Sequence, residues 1–207
     1  MIKLAVFLGN PGKEYSRNRH NAGFLLADKL PFSASLSWQK KFSALYAVME
    51  GTNSHVHLIK PQTFMNMSGK SVAQAASFFK IEHDAILVVH DELELPFGTL
   101  SLKFSGGLGG HNGLRSLKAC LGSADFWRIR IGIGRPDSRQ PGEGGPPGSG
   151  VGIVDWVLSN FDINEMEALG TVLETGAKLL LETFENDPEN LLGEWVKKKV
   201  PLQITGS

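Results

Sequence analysis

Short apolar runs recur along the chain and alternate with stretches in which apolar residues follow the period of a helix. The runs are rich in β-branched and aromatic residues, which is typical of strands. Alternating strands and helices favour a mainly parallel sheet covered by helices on both faces. Strands are predicted at 3–8, 44–49, 55–59, 85–90, 100–104 and 127–133, and helices at 21–30, 68–80, 114–121, 164–183 and 188–198.

One pair of neighbouring strands is predicted to be antiparallel. The runs at 44–49 and 55–59 are joined by Gly51-Thr52-Asn53, a combination typical of a hairpin. We therefore expect an α/β fold whose sheet is twisted and mixed, although mainly parallel. The length of 207 residues fits a single domain over 1–207. Within it, the Gly- and Pro-rich stretch at about 136–150 is predicted to be a surface loop.

The chain has the features of a cytoplasmic protein. Cys120 is the only cysteine, so no internal disulfide can form, which suits a reducing compartment. No apolar run approaches the roughly 18 residues that a membrane span requires. The first ten residues become polar too early for a signal peptide and instead resemble a first strand. Cys120 itself falls in a helical pattern and is expected to be a small core residue rather than a nucleophile.

Charge is unevenly distributed along a chain whose formal net charge is zero. Residues 101–140 hold seven basic residues against two acidic ones, a net charge of +5. Between 151 and 195, Lys178 is the only basic residue. A neutral chain is not typical of an avid, non-specific nucleic-acid binder. The basic segment either forms a face that attracts phosphates or is a solvated surface over which charges scatter unevenly.

Polar residues follow several of the predicted strands, where open α/β sheets form their ligand sites. If the neighbouring strands are parallel, five of these side chains converge in one crevice. They are Asn10, His20, Asn66, Asp91 and Asn112.

One imidazole, one carboxylate and three amides suit the attack of water on a carbonyl group. A neutral imidazole, with an ordinary pKa near ~6.5, can take a proton from water. A carboxylate bonded to the other ring nitrogen fixes the tautomer and stabilises the imidazolium that forms. Amide N–H groups can hold the carbonyl or the developing oxyanion. His20 is the candidate base, and Asp91 is its candidate orienting partner.

Plain structural roles compete with these assignments. A histidine in a loop, such as His20, is commonly a surface or structural residue, and Asp91 could cap a turn or a helix. Asparagines in loops mostly make local turns. His111 is expected to pack or to cap the helix predicted at 114–121.

Several cofactor motifs are absent from the sequence. Phe64 stands where a P-loop requires glycine, and Asn112 stands where a dinucleotide-binding loop requires its third glycine. No G-x-S-x-G nucleophile elbow occurs. His55 and His57 share one predicted strand without an obvious third metal ligand. The sequence therefore predicts neither a metal nor a cofactor.

Six sequence blocks stand out along the chain: FLGNPG at 7–12, RHNAGF at 19–24, KPQTFMNMSG at 60–69, HDEL at 90–93, GGHNGL at 109–114 and RIRIGIGRP at 128–136. In order and in approximate spacing they resemble the bacterial peptidyl-tRNA hydrolase family. The segment from 154 to 158 continues the resemblance weakly, whereas 137–150 departs from it as an extended insert.

The resemblance implies a monomeric three-layer α/β/α sandwich that hydrolyses the ester between a peptide and the 3′ ribose of tRNA. It makes His20 the general base and Asp91 its orienting partner. Three amides and two further side chains would form the substrate site: Asn10 and Asn66 for the peptidyl end, Asn112 for the water or carbonyl, and Met65 and Tyr15 along the crevice. Lys103 and one of Arg128 or Arg130, with Arg130 chosen here, would hold the 5′-phosphate of the tRNA.

Two other functions remain open at this point. One is a non-catalytic RNA-binding module on the same fold, similar to relatives that assist RNA splicing in organelles. The other is a general esterase for small molecules, which the missing nucleophile elbow disfavours. Release of peptide from N-blocked aminoacyl-tRNA separates the three.

Overall fold

The computed structural model describes residues 1–50, 55–136 and 152–201, and eight strands in these ranges form one mixed sheet. The strands are β1 Leu4–Phe7, β2 Gln39–Lys41, β3 Ala44–Glu50, β4 His55–Pro61, β5 Ile86–Glu92, β6 Thr99–Phe104, β7 Trp127–Gly132 and β8 Lys198–Lys199. Their order in the sheet is β2-β3-β4-β1-β5-β7-β6-β8.

Helices cover both faces of this sheet. They are α1 Ala22–Asp28, α2 Ser68–Phe79, α3 Asn112–Leu121, α4 Ile153–Leu158 and α5 Ile163–Glu185 within the described ranges. The apolar sides of α1 and α5 pack on one face of the sheet, and those of α2 and α3 pack on the other. Successive strand residues point to opposite faces, so Val89 belongs to the first core and Val88 to the second. The predicted three-layer α/β/α arrangement is confirmed.

The centre of the sheet is parallel because its strands can be buried on both faces. β4, β1, β5 and β7 run in the same direction, with Val6 opposite Val88 and Asp91 opposite Ile131. Strands of this kind are continuous apolar runs rather than alternating ones. The carboxyl ends of β1, β5 and β7 therefore lie at one edge of the sheet. The outer pairs, β2–β3, β3–β4, β6–β7 and β6–β8, are antiparallel, which confirms the predicted mixed sheet.

The hairpin expected between the runs at 44–49 and 55–59 is confirmed by the antiparallel pairing of β3 with β4. Its connecting residues, 51–54, lie outside the described residues, as does nearly all of the predicted surface loop at about 136–150. No helix in the described ranges is long and apolar enough to cross a membrane.

Four elements and one cysteine differ from the sequence-based expectations. The helix predicted at 188–198 is wrong: only the 3-10 turn Pro188–Leu191 forms, and the chain then adds β8 to the edge of the sheet. The carbonyl of Trp195 accepts a hydrogen bond from Leu102 N–H of β6, which draws this segment along the sheet. β2 and α4 were missed because each is too short to establish a period. Cys120 lies on α3 as expected but is exposed rather than in the core.

Gly23 lets the first turn of α1 lie directly against the backbone of the sheet. A Cβ at this position would come within 2.5 Å of the Leu8 carbonyl oxygen and 2.6 Å of the Val89 carbonyl oxygen. Both atoms belong to the main chain and cannot turn away. The short turn that precedes α1, Arg19–Asn21, therefore sits close above the ends of β1 and β5.

Gly23→Ala should lower the free energy of unfolding by about 1–3 kcal/mol, because α1 must move off the sheet. Gly170→Ala is the matched control, since nothing lies within 4 Å of a Cβ at that position in α5. It should be neutral or stabilise the protein by up to about 1 kcal/mol through helix propensity. Urea unfolding of the two variants measures the difference, and equal effects would contradict the close approach of α1 to the sheet.

Candidate active site

The Asp91 carboxylate, at the end of β5, is contacted by two imidazole rings. His20 Nδ1 lies 2.8 Å and His111 Nε2 lies 2.9 Å from Asp91 Oδ1. The ring centroids of the two histidines are 4.8 Å apart. Asp91 is only 2% exposed. His20 reaches it because its turn follows β1, the parallel neighbour of β5, so both residues lie at the same edge of the sheet.

The ionisation of Asp91 determines which ring nitrogen of His20 carries a proton. Burial opposes ionisation of Asp91, but the charges and hydrogen bonds of His20 and His111 outweigh it and hold the pKa of the carboxyl well below its usual range. An ionised Asp91 can only accept, so His20 Nδ1 carries the proton and Nε2 keeps a free lone pair. Burial lowers the pKa of His20, yet the Asp91 carboxylate outweighs that effect, and the pKa lies above 6.5.

His111 has its tautomer fixed by the helix that it caps. Its Nδ1 accepts hydrogen bonds from Gly113 N–H at 3.1 Å and Leu114 N–H at 3.4 Å, the free donors at the start of α3. The neutral ring must then carry its proton on Nε2, which donates to Asp91. The expectation that His111 caps the helix is confirmed. Its bond to Asp91 is a feature that sequence reasoning missed.

His90 packs against His111 and does not line the cleft. It is fully buried, and its Nδ1–H donates to the main-chain oxygen of Asp91 at 2.6 Å. Its ring lies edge-on to that of His111, with centroids 4.9 Å apart. Burial holds the pKa of His90 well below its usual value. We therefore take His90 to be a neutral packing residue.

The Gly-rich loop that follows β6 reaches the site by a route that differs from the expected one. β6 is antiparallel to β7, so Phe104 lies opposite Trp127, at the amino-terminal end of β7. Asp91 lies near the other end of these strands, opposite Ile131. Residues 105–111 must therefore run back toward Asp91 before α3 begins. The guanidinium of Arg128, 2% exposed, donates to the carbonyls of Gly106 and Gly107 at 2.8 Å each and holds this loop down.

Asn10 is held in a network of amide and main-chain bonds beside His20. Its N–H donates to Asn21 Oδ1 at 2.8 Å, and Asn21 Nδ2 donates back to the carbonyl of Asn10 at 3.0 Å. Asn10 Oδ1 accepts from Met65 N–H at 2.8 Å. The Nδ2 group of Asn10 has no hydrogen-bond partner among the described residues. Asn21, which the sequence analysis did not single out, therefore positions Asn10; its place directly after His20 was the available signal.

A cleft of about 270 Å³ opens above the histidine–aspartate cluster. One side is polar, and α4 forms an apolar wall opposite it. Its lining consists of His20, Asp91, Glu92, Leu93, Gly109, Gly110, His111, Asn112, Arg135, Ile153, Val154 and Val157. Of the predicted site residues, His20, Asp91 and Asn112 line this cleft, whereas Asn10, Tyr15, Met65 and Asn66 do not.

The four residues outside that lining differ in their surroundings. Asn10 and Met65 are buried, and Met65 N–H donates a hydrogen bond to Asn10 Oδ1. The Met65 side chain packs closely against Gly113, since its Sδ would lie 2.6 Å from a Cβ at that position. Tyr15 is half-buried in the 3-10 turn Lys13–Tyr15, and Asn66 is exposed in the turn Met65–Met67. Within the described ranges, no side-chain hydrogen bond joins Tyr15 or Asn66 to the cleft.

Three basic residues share one face of the β6–β7 pair, but they differ in availability. Lys103 is paired in register with Arg128, and Arg130 lies two residues further along β7. Arg128 is occupied by the loop carbonyls, and Arg130 is bonded to Glu92 Oε2 at 2.9 Å. Lys103 is half-buried against Gly106 and has no ion pair among the described residues. Of the three, Lys103 is thus the one whose charge has no hydrogen-bonded partner among the described residues, whereas the charge of Arg130 is paired with Glu92.

The cluster of His20, Asp91 and His111 has a composition that could ligate a metal. Its donor atoms lie within 4.8 Å of one another. The ring nitrogens that face Asp91 are, however, the protonated ones, because His111 Nδ1 already accepts two main-chain hydrogen bonds. A metal ligand must be deprotonated. The cluster is therefore arranged for hydrogen bonding rather than for coordination.

A family model and the sequences of individual relatives both place similar proteins in one family. The sequence model described as peptidyl-tRNA hydrolase matches residues 4–202. The peptidyl-tRNA hydrolase of Treponema pallidum (strain Nichols) is 47% identical over 205 residues, which cover 96% of each chain. That of Dichelobacter nodosus (strain VCS1703A) is 46% identical over 194 residues, 93% of this chain and 97% of the relative.

Solved structures extend the similarity to the fold. A crystal structure of peptidyl-tRNA hydrolase in complex with N-propanol superposes with a TM-score of 0.83 at 31% identity and covers 97% of this chain and 96% of that one. A structure of the Acinetobacter baumannii enzyme gives a TM-score of 0.72 at 35% identity, covering 94% and 96%. The chain belongs to the peptidyl-tRNA hydrolase family.

Proposed function

We propose that the protein hydrolyses the ester that joins a peptide to the 3′ ribose of tRNA, with His20 as the general base. Its relatives are peptidyl-tRNA hydrolases, which supports the reaction and the substrate. The observation that supports the mechanism is the 2.8 Å contact between His20 Nδ1 and Asp91 inside a cleft. It leaves the Nε2 lone pair of a buried ring available to a water molecule.

The chemistry needs no side-chain nucleophile. His20 Nε2 removes a proton from water as the water oxygen bonds to the ester carbonyl carbon, which gives a tetrahedral intermediate. The imidazolium is stabilised by the ionised Asp91. The intermediate then collapses with cleavage of the bond between the carbonyl carbon and the 3′ oxygen, and the imidazolium returns its proton to that oxygen. The products are a peptide carboxylic acid and a free 3′ hydroxyl.

Amide groups stabilise the negative charge that develops on the carbonyl oxygen. Asn112 lines the cleft as the first residue of α3, where its side chain adds to the positive end of the helix dipole. Asn10, whose Oδ1 is bonded to Met65 N–H, retains an Nδ2 group without a hydrogen-bond partner among the described residues. We assign Asn112 to the water or carbonyl. Asn10 and Asn66 are assigned to the peptidyl end, and Met65 and Tyr15 to the lining of the crevice.

Selectivity for a blocked amino end follows from the same arrangement. A free ammonium group next to these amides and the apolar α4 wall would have to give up its hydration without gaining an unpaired carboxylate, because Asp91 is bonded to two histidines and Glu92 to Arg130. A peptide or N-acyl group at that position is neutral and can accept from the amides. Free aminoacyl-tRNA is therefore expected to be a poor substrate.

We assign the 5′-phosphate of the tRNA to Lys103 and Arg130. Phosphate contacts position an RNA without reading its sequence, as an enzyme for many tRNAs requires. Arg128 is set aside because both ends of its guanidinium are bonded to loop carbonyls. The family resemblance also implies a cytoplasmic monomer, and the molar mass in solution tests the oligomeric state.

His20→Ala should abolish release of peptide from N-blocked aminoacyl-tRNA while leaving tRNA binding largely intact, because only the base is removed. His55→Ala is the control and should keep wild-type turnover. His55 is exposed at the start of β4, at the opposite end of the parallel strands from His20. Single-turnover cleavage and filter binding measure the two quantities. Wild-type protein that binds tRNA without cleaving this substrate would instead favour the RNA-binding alternative.

The pH profile should identify His20 as the titrating group. Only the neutral ring is a base, so kcat/KM should rise with pH through a pKa above 6.5. Asp91→Asn removes the charge that raises this pKa and leaves burial to lower it. The acid limb should then move to lower pH, and the plateau should fall by up to about 10⁴-fold. An acid limb that stays in place would separate the titrating group from Asp91.

Lys103→Ala should weaken tRNA binding and reduce the slope of log Kd against log salt by about 0.7–0.9, the contribution of one phosphate contact. Lys178→Ala is the matched control, because Lys178 is exposed on α5, on the other face of the sheet. Titrations between low and moderate salt give both slopes. An unaltered slope for Lys103→Ala would remove this residue from the RNA interface.

A further inference from the structure

Arg19, the residue directly before His20, is a buried cation whose interactions all lead away from the catalytic cluster. Its side chain is 4% exposed. One guanidinium nitrogen donates to Ser159 Oγ at 2.7 Å and to the carbonyl of Asn160, and the other donates to Glu165 Oε2. The guanidinium also lies over the ring of Trp156, 3.8 Å from its centroid. A single side chain thus contacts α4, the turn after it and the first turn of α5.

The main chain joins the same two segments. Arg19 N–H donates to the carbonyl of Ser159 at 3.0 Å, and Asn18 forms an antiparallel bridge with Asn160. Phe161 N–H donates to the carbonyl of Arg17 at 3.3 Å. The turn that carries His20 is therefore attached, residue by residue, to the end of α4.

α4 depends on this attachment for its position. It has six residues and none of them is fully buried, whereas helices of this length are unstable on their own. Ile153, Val154 and Val157 of this helix form the apolar wall of the cleft. Besides the contacts with the Arg19 turn, Trp156 Nε1–H donates to the carbonyl of Gly134 at 2.9 Å.

We propose that Arg19 is a positioning residue that holds the α4 wall at a set distance from His20, so that the acyl end of the substrate fits between the wall and the base. This inference rests on the proposed function for its substrate. Arginine is required because its planar group bonds to three acceptors and stacks on Trp156 at the same time, whereas lysine is a point charge. The wall contacts the substrate before and during the reaction, so its displacement weakens binding more than chemistry.

Glu165, the acidic partner of Arg19, allows a second and more conservative substitution that tests the same contact. It completes the capping box of α5, where Glu165 Oε2 accepts from Asp162 N–H at 2.8 Å and Glu165 N–H donates to Asp162. Glutamine also fills this position of a capping box. Glu165→Gln therefore removes the charge opposite Arg19 while the helix start is retained. Asp162→Ala removes the cap and keeps the charge opposite Arg19, and it serves as the control, because no hydrogen bond or ion pair joins Asp162 to Arg19 in the described part of the chain.

The test compares steady-state cleavage of N-blocked aminoacyl-tRNA by Arg19→Lys, Glu165→Gln and Asp162→Ala. Arg19→Lys should raise KM about tenfold and change kcat less than about threefold, with the acid limb of the pH profile unmoved. Glu165→Gln should raise KM in the same direction by a smaller factor. Asp162→Ala should leave KM unchanged even where it lowers the melting temperature.

Hydrogen exchange separates failure of the proposal from failure of the proposed function. The amides of α4 should exchange faster in Arg19→Lys and Glu165→Gln than in the wild type, whether or not the substrate is cleaved. Unchanged KM together with unchanged α4 exchange in both variants would overturn the proposal. A fall in kcat alone, in proportion to the folded fraction, would reduce Arg19 to a structural residue. If the wild type does not cleave this substrate but the two variants still show faster exchange in α4, the positioning role of Arg19 is retained and the proposed substrate is rejected.

Discussion

A buried, ionised carboxylate organises this protein. Asp91 is 2% exposed, and an unpaired charge at that depth would be strongly destabilising. The fold brings it two N–H donors from different layers: His20 from the turn after β1 and His111 from the start of α3. The close packing of α1 on the sheet, the return of the Gly-rich loop and the cap of α3 all meet this one requirement. The basicity of His20 follows from it.

The parts of the site that could be predicted from the sequence depend on local pattern plus one topological rule. β1 and β5 are uniform apolar runs, so their parallel pairing and the meeting of His20 with Asp91 at one edge follow from burial on both faces. The direction of β6 could not be predicted in this way, because strand order depends on contacts distant in sequence. β8 and the false helix at 188–198 failed for a related reason: hydrogen bonds to a sheet edge override a weak helical period.

Cations were the residues that sequence reasoning interpreted least well. Counting charge gave +5 for residues 101–140 and left open whether this segment forms a face that attracts phosphates or a solvated surface. In the structure, Arg128 is buried, Arg130 is bonded to Glu92, and Arg135 is bonded to Glu94. Arg19, outside that segment, is buried as well. A charge in a sequence does not reveal whether its partner is internal or external, since that partner is commonly far away along the chain.

The way in which Arg128 holds the Gly-rich loop has an evolutionary consequence. Its two bonds go to carbonyl oxygens of Gly106 and Gly107, which every amino acid possesses. Recognition of this kind is blind to side-chain identity, and nothing lies within 4 Å of a Cβ at Gly107. Delivery of His111 to Asp91 therefore depends on the Arg128 side chain rather than on side chains of residues 106 and 107. Gly106, Gly109 and Gly110 have positive φ, which favours glycine, so Gly107 is the one of these four glycines that is free to change and to acquire new surface chemistry.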